Sequence, residues 1–99
     1  MIVVNAVITS KPQDIAALQS AIHTMEVASR EEPGCDDYTF SVELNDPNML
    51  RITEKWHSVE ALKGHMATSH MAKFQNVIGA HPPASMEVTF YEVTEIQPF

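Results

Sequence analysis

Between Glu54 and Phe74 the sequence gathers the side chains best suited to chemistry. The stretch holds three of the five histidines, His57, His65 and His70, and the single tryptophan, Trp56. An imidazole is the side chain best poised to exchange a proton near pH 7, and a well-placed general base contributes roughly 10² to 10⁴ in rate. Glu54 alternates with Ile52 and Trp56 on a strand face expected to be covered. Desolvation there would raise its pKa unless a donor or cation meets it, and both a satisfied structural carboxylate and a functional one fit that position. Asn5 interrupts the apolar run from Ile2 to Ile8, and a buried amide needs a partner, either nearby backbone or a ligand.

Other constellations are weaker. His57, His65 and His70 do not follow the i, i+4 pairing of a helical metal motif, and no second carboxylate or Cys accompanies them, so a metal site is disfavoured. Cys35 follows a turn without a neighbouring base and reads as an incidental thiol. As the only cysteine it excludes an internal disulfide, which suits a reducing compartment and a cytoplasmic setting. With six Lys plus Arg against thirteen Asp plus Glu, a formal charge of −7 and no basic cluster, nucleic acid is an unsuitable partner and anionic membrane surfaces repel the chain. The opening apolar segment lacks a basic region before it and a small-residue cleavage site after it, so it reads as a strand and not a signal peptide. No run approaches the roughly 20 apolar residues of a membrane span.

The elements that must position these residues follow from periodicity. Ninety-nine residues suit one domain, 1–99. Residues 2 to 9 form a strand with apolar residues on both faces, Ile2, Val4, Ala6 and Ile8 on one and Val3 and Val7 on the other. Ser10, with Gln13 three residues on, is placed to cap a long helix whose stripe is Ile15, Leu18, Ile22, Met25 and Ser29, and Pro33-Gly34 ends it. His23 lies off the stripe and His81 in a Pro-rich connection, so both are expected at the surface.

Asp36 to Leu44 alternates, with Tyr38, Phe40, Val42 and Leu44 on the apolar side, and a turn at Asn45 to Asn48 leads to an antiparallel strand from Met49 to His57. Ser58 caps a second helix, Gly64 marks a bend or close approach, and Ser69 is placed to cap a further helical segment, His70 to Ile78. Ser85 to Thr94 is the last strand. The order β-α-β-β-α-β is that of a ferredoxin-like α+β fold, a four-stranded antiparallel sheet with its helices on one face. Apolar residues on both sides of the first and last strands leave the other face to be covered, and a second copy, giving a homodimer, is the economical cover.

Within this order, Glu32-Pro33-Gly34-Cys35, Glu54-Lys55-Trp56 and the H-x-x-T-x-H run from His65 to His70 resemble the antibiotic biosynthesis monooxygenase family, over nearly the whole chain. The resemblance implies a dimeric α+β barrel. It also implies a monooxygenase needing no cofactor, in which a small phenolic or quinol substrate is deprotonated between sheet and helices and the anion reacts directly with dioxygen. By position it makes Asn5, Trp56 and His65 pocket residues, with His70 and Phe74 nearby. Haem-degrading members are a poorer match, because His65 stands where their pocket Trp lies and Gln75 where their haem-ligating His lies. Ser69 departs from the Pro that many relatives have there.

On this reading His65 is the base, Asn5 donates a hydrogen bond to the developing oxyanion, and Trp56, Tyr38, Phe40 and Met66 wall off water and recognise a flat ring. Glu54, His70 and Phe74 complete the substrate-binding set. The same aromatic and Met spacing is also what a plain core shows. Two other readings are a non-catalytic dimeric barrel binding a small hydrophobic ligand, which the fold alone permits, and an isomerase-type relative acting on a small signalling molecule. Against the latter, this chain shows no phosphate-binding Gly-rich loop or Arg pair.

Overall fold

The computed structural model describes residues 1–99 as strand β1 (Ile2–Thr9), helix α1 (Pro12–Arg30), strands β2 (Cys35–Glu43) and β3 (Asp46–Trp56), helices α2 (Val59–Met66) and α3 (Ser69–Ala80), and strand β4 (Ser85–Glu92). The strands form one antiparallel sheet in the order β2-β3-β1-β4. This is the expected ferredoxin-like arrangement, with the second helix broken in two. No helix is long and apolar enough to cross a membrane.

Strand alternation sorts the sheet into two unlike faces. Ile2, Val4, Ala6 and Ile8 of β1, Tyr38 of β2, and Leu50, Ile52, Glu54 and Trp56 of β3 are buried beneath the helices. Leu18, Met25 and Ser29 of α1 and Phe74 of α3 close over them, as the helical stripes require. On the opposite face Val3 and Val7 are only half-buried and Asn5 is exposed. Every residue of β4, the edge strand, is exposed, including Phe90 at 58% and Tyr91 at 48%.

Gly34 is the one residue with positive φ, +83°, and its hydrogen sits where a Cβ would meet Ala61 Cβ at 2.8 Å. The turn after α1 therefore needs glycine for both conformation and space. It carries the chain directly under α2, and Gly34 O accepts from His57 N at 2.8 Å.

Several local expectations change. Ser10 does not cap α1: its backbone N–H is tied to Asn48 O at 2.9 Å, the helix begins at Pro12, and Ser10 Oγ is left buried and unpaired. Thr68, and not Ser69, caps α3, accepting from Met71 N at 3.3 Å while its hydroxyl donates to His65 O at 2.8 Å. One side chain thus bridges the end of α2 and the start of α3. Ser58 does cap α2, accepting from Ala61 N at 3.1 Å. Val42 keeps the apolar face, opposite Leu50 and beside Phe40 and Ile15, yet is 46% exposed on the edge strand β2; the register shifts after it, at Val42/Glu43, and Leu44 is 96% exposed in the turn. Gly64 has open space around it, so no close approach explains it.

Candidate functional site

The helical layer does not seal the sheet. Between α2, α3 and the β1–β4 side lies a cavity of about 230 Å³, almost wholly apolar, whose wall includes Val4, Tyr38, Leu62, Met71, Phe74 and Phe90. Only two lining residues are not hydrophobic, Glu54 from the sheet and Gln75 from α3. β3 puts Glu54 there because it shares the face of Ile52 and Trp56. Trp56 donates from its indole N–H to Glu54 Oε1 at 2.9 Å, fixing the carboxylate beside the cavity.

Burial holds the Glu54 carboxyl above the usual carboxylate range; the Trp56 hydrogen bond and the His65 imidazole pull it back, and Glu32 pushes it further up. Tyr38 is held well above the usual phenol range, first by burial and then by the charges of Glu54 and Glu32, so it keeps its proton. Burial, with Glu32 beside it, pushes the Cys35 thiol up to about 11, which suits an inert thiol.

Behind this wall lies a second polar group. Glu32, just past the end of α1, uses one oxygen, Oε2, to accept from His65 Nδ1 at 2.7 Å and from His70 Nε2 at 2.8 Å. A carboxylate oxygen only accepts, so the proton of a neutral His65 is on Nδ1 and Nε2 is a bare acceptor. That Nε2 is buried with no partner. The His65 ring, 1% exposed, packs on Trp56 with centroids 4.7 Å apart and on Tyr38 at 5.1 Å. Glu32, His65 and His70 each offer a ligand atom, a carboxylate oxygen or a ring nitrogen, that lies within 4.8 Å of the other two, the one grouping that could hold a metal.

The expected site residues divide accordingly. Glu54, Tyr38, Met66 and Phe74 line the cavity. Trp56 is fully buried one layer behind, reaching the cavity through its bond to Glu54. His65 is likewise behind the wall, and His70 faces a separate cleft with Ala21, Thr24, Lys73 and Val77. Phe40 lines another recess with Ile15 and Ile22, meeting the cavity only through edge contacts with Tyr38 at 5.8 Å and Phe74 at 5.6 Å.

Asn5 needs correction. Its neighbours Val4 and Ala6 line the cavity, so the pleat sends the Asn5 side chain to the opposite, exposed face, away from His65. His57 is exposed and paired with Asp36 Oδ1 at 2.8 Å.

Sequence reasoning missed Glu32, Gln75 and the β4 side of the cavity. Glu32 carried a signal: an acid just past a helix C-terminus opposes the helix dipole and implies a compensating partner. The β4 residues carried none, since alternation does not say which strand lies next to the gap between helices.

The sequence profile described as antibiotic biosynthesis monooxygenase matches residues 1–77. Among solved structures, a protein of Deinococcus radiodurans and one of Nitrosomonas europaea, both provisionally named antibiotic biosynthesis monooxygenases, superpose with TM-scores of 0.90 and 0.89. They are 23% and 18% identical, over 100% and 96% of this chain and 98% and 100% of theirs, and show the shared fold. A further structure, named antibiotic biosynthesis monooxygenase, is 27% identical over 96% of this chain and 100% of its own, with a TM-score of 0.85. No curated protein matches the chain.

Proposed function

The chain belongs to the antibiotic biosynthesis monooxygenase family, and from that premise we propose that it oxidises a small phenolic or quinol compound with dioxygen, without a cofactor, in the cavity beside Glu54. The observation that carries this reading is a single carboxyl group, with its proton affinity raised by burial, in a wall whose one other non-hydrophobic residue is Gln75.

Glu54 takes the base role in place of His65, because it reaches the cavity and His65 does not. A carboxylate whose pKa is raised above the usual range is a stronger base, and removing a phenolic proton leaves an electron-rich ring that can donate an electron to dioxygen directly. The Trp56 N–H fixes the orientation of Glu54, and the His65 ring backs the indole. Tyr38, which keeps its proton, is the donor available to a developing oxyanion now that Asn5 faces away. Leu62, Met71 and Phe74 exclude water and fit a flat ring.

A homodimer completes the proposal. The cavity opens along β4, where Met86, Val88 and Phe90 line it yet are exposed, and Val3, Val7 and Tyr91 leave apolar surface on the other face. A second copy would cover such surface. A cytoplasmic setting accords with the lone, unreactive Cys35.

The test is oxygen uptake by metal-stripped protein on a panel of hydroquinones, comparing Glu54→Gln with His65→Ala. Loss of turnover in Glu54→Gln is expected. Quenching of Trp56 fluorescence by the same compounds with no product formed would favour a ligand-binding barrel instead.

A further inference from the structure

We infer that Glu32, His65 and His70 bind one divalent transition-metal ion, at a structural site separate from the cavity. None of the three residues lines that cavity, so the inference does not rest on the reaction proposed above.

Three elements bring the ligands together. Glu32 follows α1, His65 lies in the last turn of α2, and His70 in the first turn of α3. The two histidines are five positions apart, a spacing that diverges on one straight helix. The break capped by Thr68 turns the second segment so that both rings reach the same carboxylate oxygen.

Ligand bonds of about 2.0 to 2.2 Å to imidazole nitrogen and carboxylate oxygen require donor atoms no more than about 4.2 Å apart. Two of the three separations are already 2.7 and 2.8 Å, and the third is within 4.8 Å. Tetrahedral coordination spaces such donors about 3.3 to 3.5 Å apart, so on binding the two hydrogen-bonded pairs would open by about 0.6 Å and the two imidazole nitrogens would close to the same spacing. Two imidazoles and one carboxylate suit zinc, iron, cobalt or nickel, whereas calcium and magnesium take oxygen ligands.

Protons balance on binding. Each neutral imidazole moves its proton to the other ring nitrogen, from Nδ1 to Nε2 on His65 and from Nε2 to Nδ1 on His70, so none need be released. Glu32 supplies one negative charge at a nearly buried position in a chain whose formal charge is −7, which favours a cation. His70 opens on the cleft with Ala21, Thr24 and Lys73, giving an entry path and room for water on the remaining coordination positions. The ion would clamp the end of α1 to the α2–α3 corner.

The experiment titrates chelator-treated protein with Co²⁺ and follows its visible absorption, with Zn²⁺ as competitor. One Co²⁺ per chain is expected, with affinity falling roughly tenfold or more in His70→Ala and Glu32→Gln and unchanged in His57→Ala. Binding that is absent, or equal in His70→Ala and the parent, would overturn the site and leave a hydrogen-bonded triad only. Should a variant fail to fold, ring-nitrogen NMR of the unaltered protein decides. Zn²⁺ should shift His65 Nδ1 and His70 Nε2 and leave His23, His57 and His81 in place, and spectra unmoved by Zn²⁺ would refute the inference.

Discussion

Replacing Glu54 with Gln tests the electrostatics of the cavity before any substrate is known. The substitution keeps shape and an oxygen for the Trp56 N–H, now 2.9 Å away, but removes the charge. Burial raises the folded-state pKa of Glu54 above the 4.5 of an unperturbed carboxyl. The folded state then binds the proton more tightly than the unfolded chain. The stability this provides is fully present below pH 4.5, falls as pH rises, and is lost once pH passes the folded-state pKa. Each unit of elevation is worth about 1.4 kcal/mol. Against this, a neutral acceptor weakens the indole hydrogen bond by about 1 kcal/mol relative to a carboxylate.

Urea unfolding followed by the fluorescence of Trp56 gives the stability of both proteins across pH. The difference, wild type minus Glu54→Gln, removes the contribution of every other carboxyl group. It should decline as pH rises above 4.5 and level off once pH passes the folded-state pKa. A difference that is flat, or that grows with pH, would refute the raised pKa and with it the reason for choosing Glu54 as base.

Three further outcomes follow from the same geometry. Gly34→Ala should cost at least ~1–2 kcal/mol in urea unfolding, because a side chain at φ +83° is strained and its Cβ would press on Ala61 at 2.8 Å; a loss under ~0.5 kcal/mol would contradict the packing. Phe74→Ala should cost about 3 to 5 kcal/mol and enlarge the cavity, read by unfolding and by uptake of a larger aromatic probe. Sedimentation equilibrium should find a dimer that Tyr91→Glu or Val7→Glu weakens, and a wild-type monomer at micromolar concentration would remove the proposed cover of the sheet.

Where sequence reasoning succeeded, a period or a backbone constraint fixed the answer. Alternation through Ile52, Glu54 and Trp56 placed Glu54 on the covered face, and Pro33-Gly34 located the end of α1. It also separated Asn5 from Val4 and Ala6, yet not which face of β1 carries the pocket, so an amide expected beside the base lies across the sheet from it. Ser58 caps α2 as expected, but the caps of α1 and α3 were each misplaced by one position, since Ser10 and Thr68 answer to bonds with Asn48 and His65 that only the fold creates. His65 and His70 looked too far apart for one helix face, and Glu32 lay 33 residues before His65, so their meeting depended on a helix break and a tertiary contact invisible to spacing.

The central claim is that a carboxylate in an apolar cavity activates a phenolic or quinol substrate toward dioxygen. It is met most directly by steady-state oxygen uptake on a hydroquinone panel, using metal-stripped wild type and Glu54→Gln verified as folded. The account predicts turnover by the wild type that falls roughly 10² to 10⁴-fold in the variant. Equal rates in the two proteins, or turnover that appears only on adding metal, would contradict it.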